Sequence, residues 1–451
     1  MSDLPPSFSD RRVCVVGLGY VGLTLAATLA EVGFTVFGIE IRADVVEALN
    51  RGEPHFHEPN LAEVLGRVMK AGRLSIHRDI PADCDATVYF VTVGTPLDAD
   101  GNPRLDMVDG TVRQIAAHYR PGALIIMRST VRLGVTRELV LPILSATGKE
   151  YGLCFCPERT VEGQALQELR HLPQIVGGGD MAAAVRAAQL FQFITPTVVR
   201  VSSLEAAEMI KLIDNVHRDV MFGFVNEVAR LCDTSGVNVA EVISAGKLGY
   251  GRTNLPMPGP VGGPCLTKDP YILMDGIRGR GEEAAITAAA RAENERQLPR
   301  SAEFLAGTAA RIGTPSSPVI TLLGLAFKGR PATDDLRGTT ARPILDRLVQ
   351  LFPTARIRGY DAVVSAADIA AFGIEPCASL EEAFAGSHLM MILNNHPVFS
   401  GMPINSLAAR TARPCFIYDL WNNFSARGLM LPKGVGYGSL GCHVDAVLPQ
   451  A

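Results

Sequence analysis

The chain has 451 residues, 47% hydrophobic and 20% charged, which supplies more than one core and excludes a disordered chain. Its 42 Lys and Arg against 46 Asp and Glu give a formal charge of −4, so no basic excess exists to hold a nucleic-acid backbone. At roughly 100–200 residues per domain, the length predicts two to four domains, and three are expected. Nine cysteines, an odd number without repeated spacing, make no disulfide framework, and a reducing cytoplasm is the expected compartment. Cys154 and Cys156 read as buried thiols of one strand, since no second Cys or His pair stands at zinc-ligand spacing. No metal is expected.

Arg11 and Arg12 precede a nearly uncharged run from Val13 to Ile39, long enough to span a bilayer. Gly17, Gly19, Gly22 and Gly33 punctuate it and Glu31 interrupts it. Each glycine costs a helix roughly 1 kcal/mol relative to alanine. A strand, a tight turn and a helix account for the run better than a membrane segment does. No membrane partner is expected.

Val13 to Val16 suits a buried parallel strand and runs into Gly17-Leu18-Gly19-Tyr20-Val21-Gly22, a G-x-G-x-x-G turn. The first glycine permits the turn, the second lets backbone approach a pyrophosphate, and the third allows close packing of helix on strand. A helix then runs through Leu29 and points its N-terminal N–H groups, those of Tyr20 and Val21 first, at the phosphates. A second strand, Val36 to Ile39, ends at Glu40, about 20 residues beyond the turn, where a carboxylate accepts from a ribose 2′-hydroxyl. That favours NAD over NADP, although Arg42 close by weakens the preference. Further strands, Val88 to Val93 and Leu124 to Met127, lead to Thr95 and Thr130. At the carboxyl edge of an open α/β sheet these are cofactor or substrate candidates; the alternative is that they cap helices.

Leu204 to Cys232 lacks proline and reads as one long helix with an apolar stripe of Ile213, Val216, Val220, Phe224 and Val228. Lys211 and Asn215 stand four apart on another face and Asn226 continues their line. They read as solvated surface or as donors to a developing oxyanion. A Gly/Pro-rich loop follows between Tyr250 and Tyr271, carrying Arg252, Gly262, Gly263, Cys265, Lys268 and Asp269. Loops that long usually have a function. The two glycines are expected to let backbone wrap a ligand beside Cys265, and the Lys268 ammonium to favour its thiolate; an inert cysteine is the alternative. The composition changes again at Gly313 to Pro318. A second α/β alternation begins at Val319, with strands near Ile357 to Tyr360, Leu389 to Leu393 and Phe416 to Tyr418. It lacks the glycine fingerprint. Lys328 and Arg337 there are phosphate candidates or ordinary surface charge.

Together these segments resemble the UDP-glucose/GDP-mannose dehydrogenase family of nucleotide-sugar 6-dehydrogenases. The matching pieces are GLGYVGL at Gly17 to Leu23, EPNL at Glu58 to Leu61, VGTP at Val93 to Pro96 and Ser129-Thr130. Further on come PER at Pro157 to Arg159, EMIKLIDNVHRDV at Glu208 to Val220, and GGPCLTKDP at Gly262 to Pro270. GLAFKG at Gly324 to Gly329 and DDLR at Asp334 to Arg337 close the series, which spans nearly the whole chain in the family's order.

The resemblance implies an α/β fold of two Rossmann-like doubly wound domains joined by a long central helix and a helical dimerisation segment. The expected divisions are an NAD-binding domain over 1–203, a central domain with the cysteine loop over 204–312, and a nucleotide-sugar domain over 313–451. It implies a homodimer or higher homo-oligomer that oxidises C6 of a nucleotide sugar to a carboxylate, reducing two NAD. In that scheme Cys265 traps the aldehyde as a thiohemiacetal and carries the thioester that water hydrolyses. Lys211 and Asn215 stabilise the oxygen, Asp269 orders water or the thiol, Glu158 assists water or proton movement, and Thr130 helps place a water. Glu158, Glu162, Lys211, Asn215, Arg252, Gly262 and Lys328 fall on the sugar-nucleotide side. Thr95, Thr130, Lys268 and Arg337 fall on the NAD side with the glycine turn and Glu40.

Three departures bear on the sugar more than on the chemistry: Pro264 before Cys265, a longer spacing from Lys328 to Asp334, and Gly441-Cys442-His443 where relatives often carry Gly-Arg. Two other readings remain at this point. A two-electron β-hydroxyacid or 6-phosphogluconate-type dehydrogenase also uses a helix-borne lysine and asparagine, but needs no cysteine loop. A non-catalytic NAD- or sugar-nucleotide-binding protein has no use for the four residues Lys211, Asn215, Cys265 and Asp269 together.

Overall fold

The valine-rich run after Arg12 forms β1 (Arg12–Val16), whose last four residues are buried, as a strand inside a parallel sheet requires. The computed structural model describes residues 4–449 and forms two compact units. One comprises the chain up to Asn215 together with Tyr271–Ala284, the other Val216–Pro270 and the chain from Ala285 onward.

In the first unit β1 is followed by β2 (Thr35–Ile39), β3 (Leu74–His77), β4 (Val88–Val91), β5 (Ala123–Met127), β6 (Tyr151–Phe155), β7 (Gln174–Gly178) and β8 (Val198–Val201). They form one sheet in the order β3-β2-β1-β4-β5-β6-β7-β8. All pairs are parallel except β6 with β7. β1 lies between β2 and β4, with Val13 opposite both Val36 and Val88. The order reverses there, which opens the crevice that ligands of doubly wound sheets occupy. Alternate residues fill two cores, Val13, Val15 and Phe90 on one face and Cys14, Val16, Tyr89 and Val91 on the other.

In the second unit β9 (Val319–Leu323), β10 (Arg356–Tyr360), β11 (Glu375–Pro376), β12 (Leu389–Ile392), β13 (Cys415–Asp419) and β14 (Val435–Ser439) form a parallel sheet ordered β11-β10-β9-β12-β13-β14. This repeats the first six strands' winding. Its strand-end acids are occupied by the fold itself. Asp361 accepts from the N–H groups of Leu325, Ala326, Val363 and Val364. Asp419 accepts from Trp421, Asn423 and the Tyr437 hydroxyl.

The long helix runs Leu204–Ser235, three residues beyond the expected end, and corrects the expected stripe. Ile213 and Phe224 are each 51% exposed, whereas Val216 is buried with Lys211, Asn215, Asp219 and Asn226. Hydropathy periodicity weighs side-chain polarity and not the partners that make a polar group buriable. Glu208 shows what such a partner does: fully buried, it accepts from the N–H groups of Gly134 and Thr136 at 2.6 and 2.9 Å. Among the described residues no helix is long and apolar enough to cross a membrane.

Candidate active site

The glycine turn follows β1 with each glycine in a different steric situation. Gly17 has φ +94°, a region open to glycine at little cost. A Cβ at Gly22 would lie 1.8 Å from the Gly17 carbonyl oxygen, so only glycine lets the helix Tyr20–Val32 seat against the strand. Gly19 faces open space, with no atom within 4 Å of a Cβ placed there. It is the helix N-cap and offers no side chain to the first-turn N–H groups, which leaves them to an anion. The Thr92 hydroxyl pins the turn by donating to the Val16 and Gly17 carbonyls at 2.9 and 2.7 Å. Glu40, at the end of β2, accepts from the N–H groups of Leu18 and Arg42 at 3.1 and 3.0 Å, which fixes its carboxylate beside the turn. The open Gly19, the uncapped N-terminus and the anchored acid fit a dinucleotide.

Thr95 and Thr130 come together. The Thr95 hydroxyl donates to the Thr130 carbonyl at 2.5 Å, and the adjacent Ser129 hydroxyl donates to the Val93 carbonyl at 2.7 Å. Neither threonine caps a helix, since Leu105 and Val135 hold those N-cap positions. The loops after β4 and β5 are thereby tied at the carboxyl edge of the sheet.

Beyond β6, Glu158 is buried against Arg128, at 6% and 2% exposure. Arg128 donates to one Glu158 oxygen from Nε and Nη2, while the N–H groups of Arg159 and Thr160 donate to the other at 2.7 and 2.9 Å. Burial alone pushes this carboxyl up, but the Arg128 charge, the Thr160 N–H and the Lys211 ammonium outweigh it and hold Glu158 below the usual range. It is a fixed anion. Arg159 pairs with Asp214 at 2.9 Å, which ties this loop to the long helix where Lys211 and Asn215 stand one turn apart, both buried. Glu162 follows in the same loop.

In the second unit, Cys265 is exposed while the other eight cysteines are buried. It sits in a turn entering the helix Asp269–Arg278, its carbonyl accepting from the N–H groups of Lys268 and Asp269 at 3.1 and 2.8 Å. Lys268 Nζ lies 3.1 Å from the fully buried Asp269 carboxylate. The space beside the two glycines next to the thiol is taken up by the chain itself. A Cβ at Gly262 would meet the Gly338 carbonyl at 2.7 Å and one at Gly263 the Phe327 ring at 2.5 Å. Their smallness serves the packing of the loop on its own chain. Arg291 donates to the Leu266 carbonyl at 2.9 Å and to Asp219 at 2.6 Å. Asn226 both donates to and accepts from Gly259. The cysteine turn is thus held from behind by buried polar groups.

Elsewhere in this unit, the exposed Arg252 guanidinium lies 4.7 Å from the Tyr250 ring centroid. Lys328 lies 5.2 Å from the Phe327 ring, and the exposed Arg337 pairs with Asp335 at 2.6 Å. His443, where the family's Gly-Arg is expected, stacks on Phe304 at 3.7 Å and hydrogen-bonds Tyr418 at 3.0 Å.

Arg128 and Arg291 were not singled out by the sequence pattern, and Glu58 and Asp219 entered only within matching segments, without a role. One signal was available for Arg128: an arginine closing the apolar strand Ala123–Met127 must find a buried acid, and Pro157-Glu158-Arg159 supplies one.

Three family models match the chain in order: the NAD binding domain of the UDP-glucose/GDP-mannose dehydrogenase family over residues 11–195, its central domain over 205–296, and its UDP binding domain over 321–426. A UDP-N-acetyl-D-mannosamine dehydrogenase of Pyrococcus horikoshii is 32% identical over 436 residues, 95% of this chain and all of the relative. Its Escherichia coli K12 counterpart is 30% identical over 411 residues, covering 87% and 95%. Among solved structures, a UDP-glucose dehydrogenase from Pyrobaculum islandicum superimposes with TM-score 0.84 at 27% identity, covering 98% of this chain and all of the other. NAD is the cofactor of the first domain. The chain belongs to the UDP-glucose/GDP-mannose dehydrogenase family and is an NAD-dependent oxidoreductase of nucleotide sugars.

Proposed function

We propose that the enzyme carries out a four-electron oxidation of the C6 hydroxymethyl of a UDP-linked N-acetylhexosamine to the carboxylate, with UDP-N-acetyl-D-mannosamine the first candidate. The observation that carries the chemistry is Cys265, the exposed cysteine, in a turn anchored by Arg291, Asp219 and Asn226. The substrate choice rests on the relatives that act on that sugar. Three segments serve the reaction: 1–203 for NAD, 204–312 for the cysteine, and 313–451 for the sugar nucleotide.

Gly19, the N–H groups of Tyr20, Val21 and Gly22, and Glu40 hold the dinucleotide, with Thr95, Thr130, Lys268 and Arg337 assigned to the same side. NAD supplies the hydride acceptor for each of the two oxidations. In the first, the C6 alcohol becomes an aldehyde as its hydroxyl proton leaves to water, Thr130 being assigned to placing a water and Asp269 to ordering water or the thiol. The Cys265 thiolate then adds to the aldehyde carbon, forming the C–S bond of a thiohemiacetal. Loss of a second hydride and the hydroxyl proton leaves a thioester. Water attacks it, the C–S bond breaks, and carboxylate and thiol are released. Lys211 and Asn215 donate to the oxygen that carries charge at each stage. Glu158, ionised and engaged by Arg128 and by backbone N–H donors, serves as a fixed counter-charge to Lys211, beside the help with water or proton movement that the resemblance implies. Glu162, Arg252, Gly262 and Lys328 are assigned to the sugar nucleotide.

The test counts NADH formed per sugar nucleotide consumed across UDP- and GDP-sugars, with Cys265→Ser run beside wild type. Two NADH per sugar, lost in the variant, with UDP-N-acetyl-D-mannosamine preferred, is the expected result. One NADH per substrate, indifferent to Cys265, would return the enzyme to the two-electron class.

A further inference from the structure

The segment between β2 and β3 carries a buried acid that the proposed mechanism does not use. Glu58 is 6% exposed, in the Glu-Pro-Asn-Leu run where Asn60 takes the left-handed conformation at φ +66°. One of its oxygens accepts from the Tyr20 hydroxyl and from the Gly163 N–H at 2.8 Å; the other accepts from the Leu166 N–H at 3.3 Å. The Gly163 N–H also reaches the Tyr20 hydroxyl at 2.6 Å, so the three groups form a closed triangle. The Tyr20 ring lies on Phe56, with centroids 4.8 Å apart.

The chain positions make this contact consequential. Tyr20 lies inside the glycine turn, immediately after the open Gly19. Gly163 directly follows Glu162, and Leu166 lies in the first turn of the helix Ala165–His171, where a carboxylate is electrostatically favoured. Three carboxylates take N–H groups along the loop that leads into this helix, while the Gln164 N–H donates to the Val161 carbonyl at 3.1 Å. Glu158 takes the N–H groups of Arg159 and Thr160, Glu168 that of Val161 at 2.7 Å, and Glu58 those of Gly163 and Leu166. Of these three acids, Glu58 is the one that also binds the dinucleotide turn. Its partners lie 38, 105 and 108 residues away in sequence, so this joint is made by tertiary contact alone.

We propose that Glu58 is a positioning residue that couples the dinucleotide turn to the loop carrying Glu158 and Glu162, so that filling the cofactor site orders the sugar-binding loop. The coupling follows from geometry. A dinucleotide seated on the N–H of Tyr20 fixes the tyrosine, the tyrosine fixes one Glu58 oxygen, and that oxygen fixes Gly163. By linkage, a sugar nucleotide that orders Glu162 strengthens NAD binding by the same factor. The sugar half of this statement rests on the proposed function, whereas the cofactor half does not.

Amide hydrogen exchange of the full-length enzyme with and without NADH reads the coupling without needing the sugar. In wild type, NADH is expected to slow exchange of the Gly163 and Leu166 amides on the order of tenfold. In Glu58→Gln the slowing is lost while NADH fluorescence titration still shows binding within about threefold of wild type. With sugar nucleotide present, the KM for that substrate rises on the order of tenfold in the variant with kcat within about threefold. Equal NADH-dependent slowing in both proteins, or none in wild type, would overturn the proposal. Should Glu58→Gln fail to fold, Tyr20→Phe, which removes only the bridging hydroxyl, must lose the slowing in its place. If no sugar nucleotide is turned over while the NADH effect persists in wild type and vanishes in Glu58→Gln, the coupling stands and the substrate assignment falls.

Discussion

Arg128 Nε and Nη2 both donate to a single oxygen of Glu158, at 3.1 and 2.7 Å, with both side chains buried. The remaining Arg128 nitrogen is spent on the Cys156 carbonyl and on Gln174, at 3.0 and 3.1 Å. Removing one partner of such a pair leaves a buried charge uncompensated, at a cost of about 3–5 kcal/mol. Arg128→Met is therefore expected to lower unfolding stability by that amount in a denaturant titration. Adding Glu158→Gln to Arg128→Met should recover part of the loss, because the double variant buries no lone charge. A double variant less stable than Arg128→Met would contradict this account.

The same pair sets a pH dependence. Glu158 ionises below its ordinary value of 4.5 in the folded chain, so the pairing stabilises the fold fully above that value and fades as pH falls through the folded pKa. The stability gap between wild type and Glu158→Gln should be constant from pH 8 to 6 and shrink in acid, below about pH 4.5. A gap that instead grew in acid would mean that the folded carboxyl is protonated more readily than the unfolded one.

Two glycines of the dinucleotide turn should separate folding from binding. Gly19 has φ −65° and open space where a Cβ would point. Gly19→Ala is expected to fold with its melting temperature nearly unchanged and to bind NADH on the order of tenfold more weakly, because the methyl occupies the pyrophosphate's approach. Gly22→Ala drives a methyl into the Gly17 carbonyl and should lower both stability and binding. Equal behaviour of the two variants would show that the turn tolerates side chains indiscriminately.

Cys265 is the exposed thiol and the remaining eight are buried. A limiting alkylating agent should modify about one thiol per native chain, at Cys265 by peptide mapping, and inactivate the enzyme in step. Saturating sugar nucleotide should slow that modification. First modification elsewhere would place the reactive thiol outside this loop.

The long helix leaves Ile213, Phe224 and Leu231 about half exposed on one face, at 51%, 51% and 52%, an arrangement that favours pairing with a second copy. Wild type is expected to sediment as a dimer in analytical ultracentrifugation, and Phe224→Glu as a monomer with its secondary structure intact. An unchanged sedimentation coefficient would assign the oligomer contact to another face.

Features that live within a few residues of one another were legible in the sequence. The G-x-G-x-x-G turn, Glu40 and the strand ends at Thr95 and Thr130 stand where hydrophobic runs and glycine spacing put them, because a buried parallel strand and a tight turn impose local signatures. The cysteine loop was equally plain, although nothing local showed that Gly338 and Phe327 crowd its glycines. The long helix was found with its faces misassigned: Lys211 and Asn215 are buried and Ile213 and Phe224 are exposed.

By itself, then, the sequence determined two α/β units and a dinucleotide turn that prefers NAD, and it marked Cys265 as the candidate for covalent chemistry. Only the tertiary structure decided which polar groups are sealed inside and who holds them. Arg128 finds Glu158 across 30 residues, Arg291 finds Asp219 across 72, and Gly163 finds Tyr20 across 143. Burying a polar group is tolerable only when a partner replaces its water. Such partners are chosen by how strands and helices stack and not by the residues on either side. The ionised Glu158, the anchored cysteine turn and the Glu58 joint are products of that long-range pairing.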